Sequence, residues 1–475
     1  MTVAGAQSLA LRLQSRARTW PEMAPEARPR LLLGGLTALA TVLAAAWVVH
    51  ASRSTLDALG PAAAALGLVV MLAGRQVAAC VMLASLPFAE ISIGTDTSLV
   101  RYVLIGAFGA WFADAILRGA DDWLRFDGTD ALVAVWAVGS IVSAAFLDPS
   151  QVGSFTVTYL NLVLVYFVTS RSVRNADQAR AAVLALSVGV AAIGLLTLAD
   201  PGLASGVTVT GDVVRLGPIG TTGAAGINRF AAWLAVGAVL PWLALREPRR
   251  ISTLAARAGS LFSVAALVAT ASKGALIAVG AGLLAYALLV PRGARLPRLV
   301  LTLMLLAGGW LALPAGVHQR FAAFLQPGSD AYSRFALWDA GWRMFLAHPL
   351  TGVGLGNFQM YASAYFPQGT IYAQDQASHN IIVGALAETG IVGAAVLIAM
   401  IGALVGQGLS MVRADRVLAG RRADLAMAQV TAGLMTGYLV FLIVSMSVDL
   451  QRDRFFVALA GLVHGLYRAR AHAGR

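Results

Sequence analysis

The sequence predicts an all-α fold, a polytopic transmembrane helix bundle of about 12–14 spans with one large extracytoplasmic loop between two late spans. Three observations carry that prediction. Across 475 residues, 58% are hydrophobic and 12% charged, with a mean hydropathy of +0.75, so too little polar surface remains to coat a soluble domain. The apolar residues collect into runs close to the ~20 residues that cross a bilayer as a helix. The basic residues collect in the short connections between those runs, where they orient a membrane protein. A net charge of +12 would point to nucleic acid in a soluble chain, but this placement removes that partner and makes membrane lipids the expected surroundings. Cys80 is the one cysteine, which excludes an intrachain disulfide and a cysteine metal cluster and leaves it a packing role.

Residues 1–30 read as a cytoplasmic, basic N-terminus with Arg12, Arg16, Arg18, Arg28 and Arg30. The apolar run 31–50 continues into further spans and lacks a cleavage site, so it reads as a retained first span. Spans follow near 56–74, 76–91, 99–117, 130–147, 153–169, 181–199, 229–245, 256–271, 274–290 and 299–314, which closes a transmembrane bundle over 31–314. Residues 315–378 then form the large loop. Residues 379–467 return to the membrane, with spans near 381–409, 425–448 and 455–466, and 468–475 form a basic cytoplasmic tail. Alternating these spans from a cytoplasmic N-terminus puts 25 of the 35 basic residues inside, the asymmetry of a correctly oriented membrane protein. Arg215, Arg229, Lys273, Arg320, Arg334 and Arg343 are left on the depleted, outer side. No internal repeat of the kind that builds two-half transporters is visible.

The loop is the long segment that cannot itself be membrane. It opens with an amphipathic helix candidate at 329–338 and turns through Pro349-Leu350-Thr351-Gly352-Val353-Gly354-Leu355-Gly356-Asn357-Phe358. It re-enters an apolar helix at His379-Asn380. Gly352, Gly354 and Gly356 lack a preceding strand, so they read as a tight re-entrant turn and not as a dinucleotide fingerprint. On the helix candidate, Phe335, Trp338, Trp342 and Phe345 recur at helical spacing, predicting a face that packs on the bundle or lies along the membrane surface. Arg334, one turn before Trp338, either solvates the polar face of that helix or serves a site.

Lys273 is the only lysine, set at a span junction, Thr270-Ala271-Ser272-Lys273-Gly274. It is either an interfacial residue with its amine in the headgroups or a chosen cation on the side where cations are depleted. His379 begins a long apolar helix, as a water-exposed first residue or as a general base, the role its near-neutral titration suits. Glu388 lies a little over two turns deeper, where a carboxylate needs a partner or a wet cavity. His318 and His348 share the outer side without a following apolar helix, and His50, His464 and His472 have no visible constellation. There is no HExxH, no paired-carboxylate metal spacing and no GxSxG elbow, so no metal site or serine nucleophile is expected. Together, Lys273, Arg334, His379 and Arg215 fall on one membrane face beside an apolar bundle. A cationic pocket there fits an anionic amphiphile such as a lipid-linked diphosphate.

On these residues the chain resembles the bacterial O-antigen ligase and O-antigen polymerase superfamily of polytopic glycosyltransferases. The matching run is Arg334 with Trp338 and Ala340, then His348-Pro349-Leu350-Thr351-Gly352-Val353-Gly354-Leu355-Gly356-Asn357-Phe358, then His379-Asn380 with Leu386-Ala387-Glu388-Thr389-Gly390. A second match is 270–274, where Lys273 replaces the family's usual arginine, and a third is Arg215 through Asn228-Arg229-Phe230-Ala231. The resemblance implies transfer of a glycan from undecaprenyl diphosphate to an acceptor hydroxyl, on lipid A core or another glycan. The reaction would occur on the periplasmic face of the bacterial inner membrane, with no metal, nucleotide sugar or other cofactor. Carried over by position, His379 is the catalytic histidine. Lys273 and Arg334 match the two essential basic positions, joined by Arg215 at the diphosphate, with Asn380, Glu388, Trp338, Gly352, Gly354 and Gly356 in support. An ammonium in place of a guanidinium loses the fork that binds phosphate bidentately. A ligase, a repeat-unit polymerase and, from another class, a lipid-linked glycan flippase or carrier are the functions to separate. A flippase needs ionisable groups along a path through the bilayer, and the spans offer little beyond Glu388.

Overall fold

A computed structural model of the chain describes residues 59–89, 92–93, 97–118, 126–147, 150, 152–201, 208–210, 213–217, 219, 224–245, 251–289, 295–324, 326, 330–366, 377–417 and 422–473. The expected first span at 31–50 and the basic N-terminus lie outside the described residues. The fold is an all-helical bundle. Its helices are α1 (Leu59–Leu72), α2 (Arg75–Ser85), α3 (Leu99–Arg118), α4 (Gly128–Leu147), α5 (Val152–Ser172), α6 (Ala176–Ala199), α7 (Ala224–Ala244) and α8 (Ile251–Ala269). They continue with α9 (Lys273–Leu289), α10 (Arg295–Ala312), α11 (Ala315–Ala322), α12 (Asp330–Ala347), α13 (Phe358–Tyr365), α14 (Ile381–Val417), α15 (Arg422–Ser445) and α16 (Arg454–Ala473). Two short antiparallel ladders sit in connections: β1 (Ser92–Ile93) with β2 (Thr97–Ser98), and β3 (Thr208–Thr210) with β4 (Val213–Arg215) in the register Thr208↔Arg215.

Among the described residues, eight helices are long and apolar enough to cross a membrane: α4, α5, α6, α7, α8, α10, α14 and α15. Shorter apolar helices stand at α2 and α9. The chain is a multi-pass membrane protein. Its centre is α7, which packs on α15, α8, α6 and α9 and is 83% buried along its apolar window, whereas α10 is 6% buried. A helix apolar on all sides is central or lipid-facing, and these two are the extremes of that choice. Close helix contacts use small residues, as membrane packing requires. On α16, a Cβ at Gly465 would lie 2.6 Å from Ser170 O of α5, so only glycine lets those two backbones meet.

One end of the bundle is tied by buried charge. Arg171 Nη1 and Nη2 each donate at 2.7 Å to the two oxygens of Asp130, which also accepts from Tyr166 Oη (3.1 Å) and Arg468 Nη1 (3.2 Å). This fork holds α5 and α16 to the start of α4. His464, which the sequence leaves without a constellation, belongs to the same group. Its Nδ1 meets Gln407 Oε1 at 3.0 Å and its Nε2 lies 3.1 Å from Asp127 Oδ2. The partners come from α14 and the start of α4, far from His464 in sequence, which is why local spacing gives no sign of them. Asp127, Asp130 and His464 bring ligand-type atoms within 4.8 Å of one another, but both Asp130 oxygens already accept from guanidinium groups, so the cluster is an ion-pair tie.

Asp130→Asn would leave two guanidinium groups facing a neutral amide. Removing one partner of a buried pair costs about 3–5 kcal/mol. The midpoint of thermal unfolding in detergent should fall accordingly, and an unchanged midpoint would show that the tie adds no stability.

Candidate active site

The other end of the bundle is organised by a broken helix. α14 is interrupted at Gly390, whose φ of 64° and ψ of −165° belong to a backbone region open essentially to glycine alone. The break takes carbonyls and amides out of the helical ladder, and in an apolar medium each needs another partner. The glycine turn supplies them. Val353 N donates to Ala387 O at 2.8 Å, Gly354 N donates to Glu388 O at 2.9 Å, and Ile391 N donates to Pro349 O at 2.8 Å. Gly352, Gly354 and Gly356 have φ values of 67°, 98° and 83°, and a Cβ at Gly352 would lie 2.4 Å from the carbonyl carbon of Glu388. The turn predicted from sequence is therefore a stitch across the break. Phe358 N adds a bond to Glu388 Oε1 at 3.3 Å, so a buried carboxylate receives the start of α13.

A small second core secures the loop: Leu337, Met344, Val353, Phe358, Ala362 and Ala387. α12 crosses α14 where a Cβ at Gly341 would lie 2.5 Å from Val383 Cγ1. The aromatic face of α12 divides between the two predicted outcomes, with Trp338 and Phe345 half-buried. Phe335 and Trp342 are about half exposed, and the buried face is Leu337, Ala340, Gly341 and Met344. The aromatic residues pack on one another, Phe335 with Trp338 and Trp342 with Phe345, in the manner of an interfacial belt. Arg334 and Trp338 are half-buried on this helix, and Trp338 Nε1 is buried without a hydrogen-bond partner among the described residues.

α14 begins with a cap. Asn380 Oδ1 accepts from Ile382 N (2.9 Å) and Val383 N (3.2 Å), which fixes the helix start and explains an asparagine there. His379, just outside the cap, has φ 50°, and Ala271 near Lys273 has φ 48°; they are the only non-glycine residues with positive φ among those described. Such a backbone costs a β-carbon residue roughly 1–2 kcal/mol and is maintained where the surroundings demand it. His379 is half-buried.

Lys273 opens α9. It is 7% exposed, and its Nζ donates to Arg320 O at 3.3 Å and lies 4.9 Å from the Phe324 ring centroid. A snorkelling lysine would hold its amine in water; this one holds it inside, against α11. Beside it, Arg215 Nε donates to Thr270 O (2.9 Å) and Nη2 to Asn228 Oδ1 (3.0 Å), while Ser272 Oγ donates to the same Asn228 oxygen (3.2 Å). Arg215, Asn228, Thr270 and Ser272 are thus one buried network adjoining Lys273 in the chain.

The turn after α15 joins the two halves. A Cβ at Gly274 would lie 2.3 Å from Ser447 Oγ, and Asn380 Nδ2 donates to Met446 O at 3.4 Å. Consecutive residues therefore touch the neighbours of Lys273 and of His379. Farther along this connection, a Cβ at Gly384 would lie 2.9 Å from Asp449 Oδ2, and Glu388, Asp449 and Arg452 share a charge group. Burial raises the Asp449 carboxyl above the usual carboxylate range, against the lowering effect of the Arg452 guanidinium and the Gln451 hydrogen bonds. Sequence reasoning missed Asp449, Arg452 and Asp453. The signal was present as Asp449-Leu450-Gln451-Arg452-Asp453-Arg454, four charges in a short connection between two apolar runs.

Fold and site together define a multi-pass membrane protein whose polar machinery gathers at one end of its bundle, around a broken helix and buried cations. Residues 258–398 match the family model described as O-Antigen ligase, so the resemblance to the O-antigen ligase and polymerase superfamily holds over this stretch. The match runs from α8 into α14 and takes in Lys273, Arg334, Trp338, the glycine turn, His379, Asn380 and Glu388; Arg215 and 449–454 fall outside it. No curated protein matches the chain.

Gly352→Ala should free the turn from α14, because the new Cβ meets backbone and the φ is unfavourable. Limited proteolysis should then cut within 349–357 well before the wild type is cut. Gly308→Ala, in a helix with nothing near its would-be Cβ, should change stability by no more than about 0.5 kcal/mol and serves as control. Equal resistance of both variants would remove the stitch from the account.

Proposed function

We propose that the protein is a glycosyltransferase of the O-antigen ligase type, moving a glycan from undecaprenyl diphosphate to an acceptor hydroxyl on the periplasmic face of the inner membrane. The observation that supports this most is the turn at Met446–Ser447, which packs against Gly274, the chain neighbour of Lys273, and against Asn380, the chain neighbour of His379. In this reading His379 takes the proton of the acceptor hydroxyl as its oxygen attacks the anomeric carbon. The bond from that carbon to the diphosphate breaks, and the electron pair leaves with the carrier diphosphate. Lys273, Arg334 and Arg215 stabilise the charge that builds there, in surroundings where fixed cations act more strongly than in water. Asn380 fixes the helix start beside the base. Glu388 and the glycine turn keep the loop over the site, with Trp338 on the neighbouring helix. Lipid A core as acceptor makes the enzyme a ligase, and a growing glycan makes it a polymerase. A deletion strain separates these: uncapped core with long carrier-linked chains marks a ligase, single repeat units a polymerase.

The topology behind this reading puts both termini in the cytoplasm and 315–378 outside. Reporter fusions after Gly328 should give a periplasmic signal and fusions after Leu418 a cytoplasmic one. The reverse pattern would place the site on the wrong face.

His379→Ala should lower the transfer rate by roughly 10²–10⁴-fold with donor affinity nearly intact. Lys273→Ala and Arg334→Ala should lower turnover and weaken donor binding together. Lys273→Arg should keep much of the activity, since it restores a cation of the family's usual kind. Donor affinity and transfer rate in reconstituted membranes measure all four. Normal transfer by His379→Ala would end its assignment as base.

A further inference from the structure

A cavity of about 390 Å³ lies beside the site, at the start of α16. Thr158, Arg229, Trp233, Arg452, Asp453 and Arg454 contribute its polar and aromatic lining. Three guanidinium groups on one cavity call for an explanation. Asp453, the acidic residue among them, is committed to structure. It caps α16 through Phe455 N (2.8 Å), accepts from Trp233 Nε1 (3.1 Å) and lies 3.7 Å from Arg229 Nε. Arg452 lies over the Phe155 ring at 5.6 Å and shares the charge group of Glu388 and Asp449, yet remains substantially exposed. Arginine is the residue whose planar fork matches phosphate and carboxylate oxygens.

The cavity adjoins the Lys273 network without being part of it. Asn228 and Arg229 are consecutive at the start of α7; Asn228 accepts from Arg215 and Ser272, while Arg229 lines the cavity. From the other side, the connection that touches Gly274 and Asn380 at Met446–Ser447 runs on to Arg452 and Arg454. None of the three arginines lies within the stretch that matches the O-Antigen ligase model. The volume sits near the lower end of ligand pockets and suits a head group, not a long lipid tail.

We infer that this cavity is a second anion subsite, which holds a phosphate or carboxylate of the acceptor glycan while the donor diphosphate occupies Lys273, Arg215 and Arg334. The inference rests on the transferase reading for its assignment to the acceptor. Anchoring the acceptor's charge restricts its approach and presents its hydroxyl, the kind of positioning that converts binding into rate. It also favours acidic acceptors, because the cavity's own lining sets three guanidinium groups against a single carboxylate, Asp453.

The test measures equilibrium binding on detergent-purified protein, so turnover is not required. The probes are phosphorylated lipid A–core oligosaccharide, a neutral oligosaccharide with neither phosphate nor carboxylate (the dephosphorylated acceptor, its carboxylates also reduced to alcohols), an acidic glycan bearing carboxylates only, and the undecaprenyl-diphosphate glycan. Arg452→Gln with Arg454→Gln should weaken at least one acidic acceptor about tenfold or more, and leave the neutral oligosaccharide and the donor within about twofold. Arg452→Lys with Arg454→Lys should recover part of the loss, which separates lost charge from a misfolded loop. Equal weakening of neutral and acidic acceptors, failure of the wild type to prefer an acidic acceptor, or a loss confined to the donor would each overturn the subsite. Failure of transfer by the wild type, with acidic acceptors still bound through these arginines, would instead overturn the transferase reading alone.

Discussion

The interaction on which the site depends is the satisfaction of backbone groups at the Gly390 break. A helix interrupted within an apolar bundle must find partners for its displaced carbonyls and amides, and here the partners come from one short loop. That requirement runs outward through the structure. The turn must lie flat on α14, so its glycines need positive φ, and the loop helices on either side are fixed in turn. α13 starts on Glu388, α12 crosses α14 at Gly341, and a six-residue core seals the joint. Residues 330–366 of the loop are thereby fixed on α14 by backbone bonds and packing.

The two ends of the bundle use cations differently. At the Asp130 end, guanidinium groups are locked on a carboxylate at hydrogen-bond distance, which joins helices and leaves little charge to act on anything else. At the site end, the acceptors that position Arg215 and Lys273 include neutral groups, Thr270 O, Asn228 Oδ1 and Arg320 O, with the Phe324 ring beside the ammonium. A neutral acceptor holds a cation in place without cancelling its charge. The first arrangement suits stability and the second suits an anionic ligand.

Much of this was legible in the sequence because helices in membranes are specified locally. A run of ~20 apolar residues is enough to predict a span, and the predicted 153–169, 229–245 and 299–314 meet α5, α7 and α10 with shifts of a few residues. The glycine turn was legible for the same reason, since closely spaced glycines announce backbone that other residues resist. What escaped was everything set by tertiary contact. Periodicity on α12 singles out Phe335 and Trp342, but the face that packs is Leu337, Ala340 and Met344, because small and aliphatic residues allow the close crossing that Gly341 makes. His464 reads as isolated because Gln407 and Asp127 reach it from other helices. The charged run 449–454 was visible, yet nothing local says that it would face both Gly384 and a cavity.

The lone lysine shows how fold and chemistry constrain one another. A guanidinium is broad, planar and weakly hydrated, whereas an ammonium is compact, with three donors around one atom. At position 273 the side chain is enclosed between the start of α9 and α11, with the Arg320 carbonyl and the Phe324 ring among its neighbours. A compact cation fits this corner. A guanidinium stands next door at Arg215, whose orientation is set by the carbonyl of Thr270 and by Asn228. In the reading proposed above, the cationic group works as a unit, the compact charge of Lys273 beside the planar fork of Arg215.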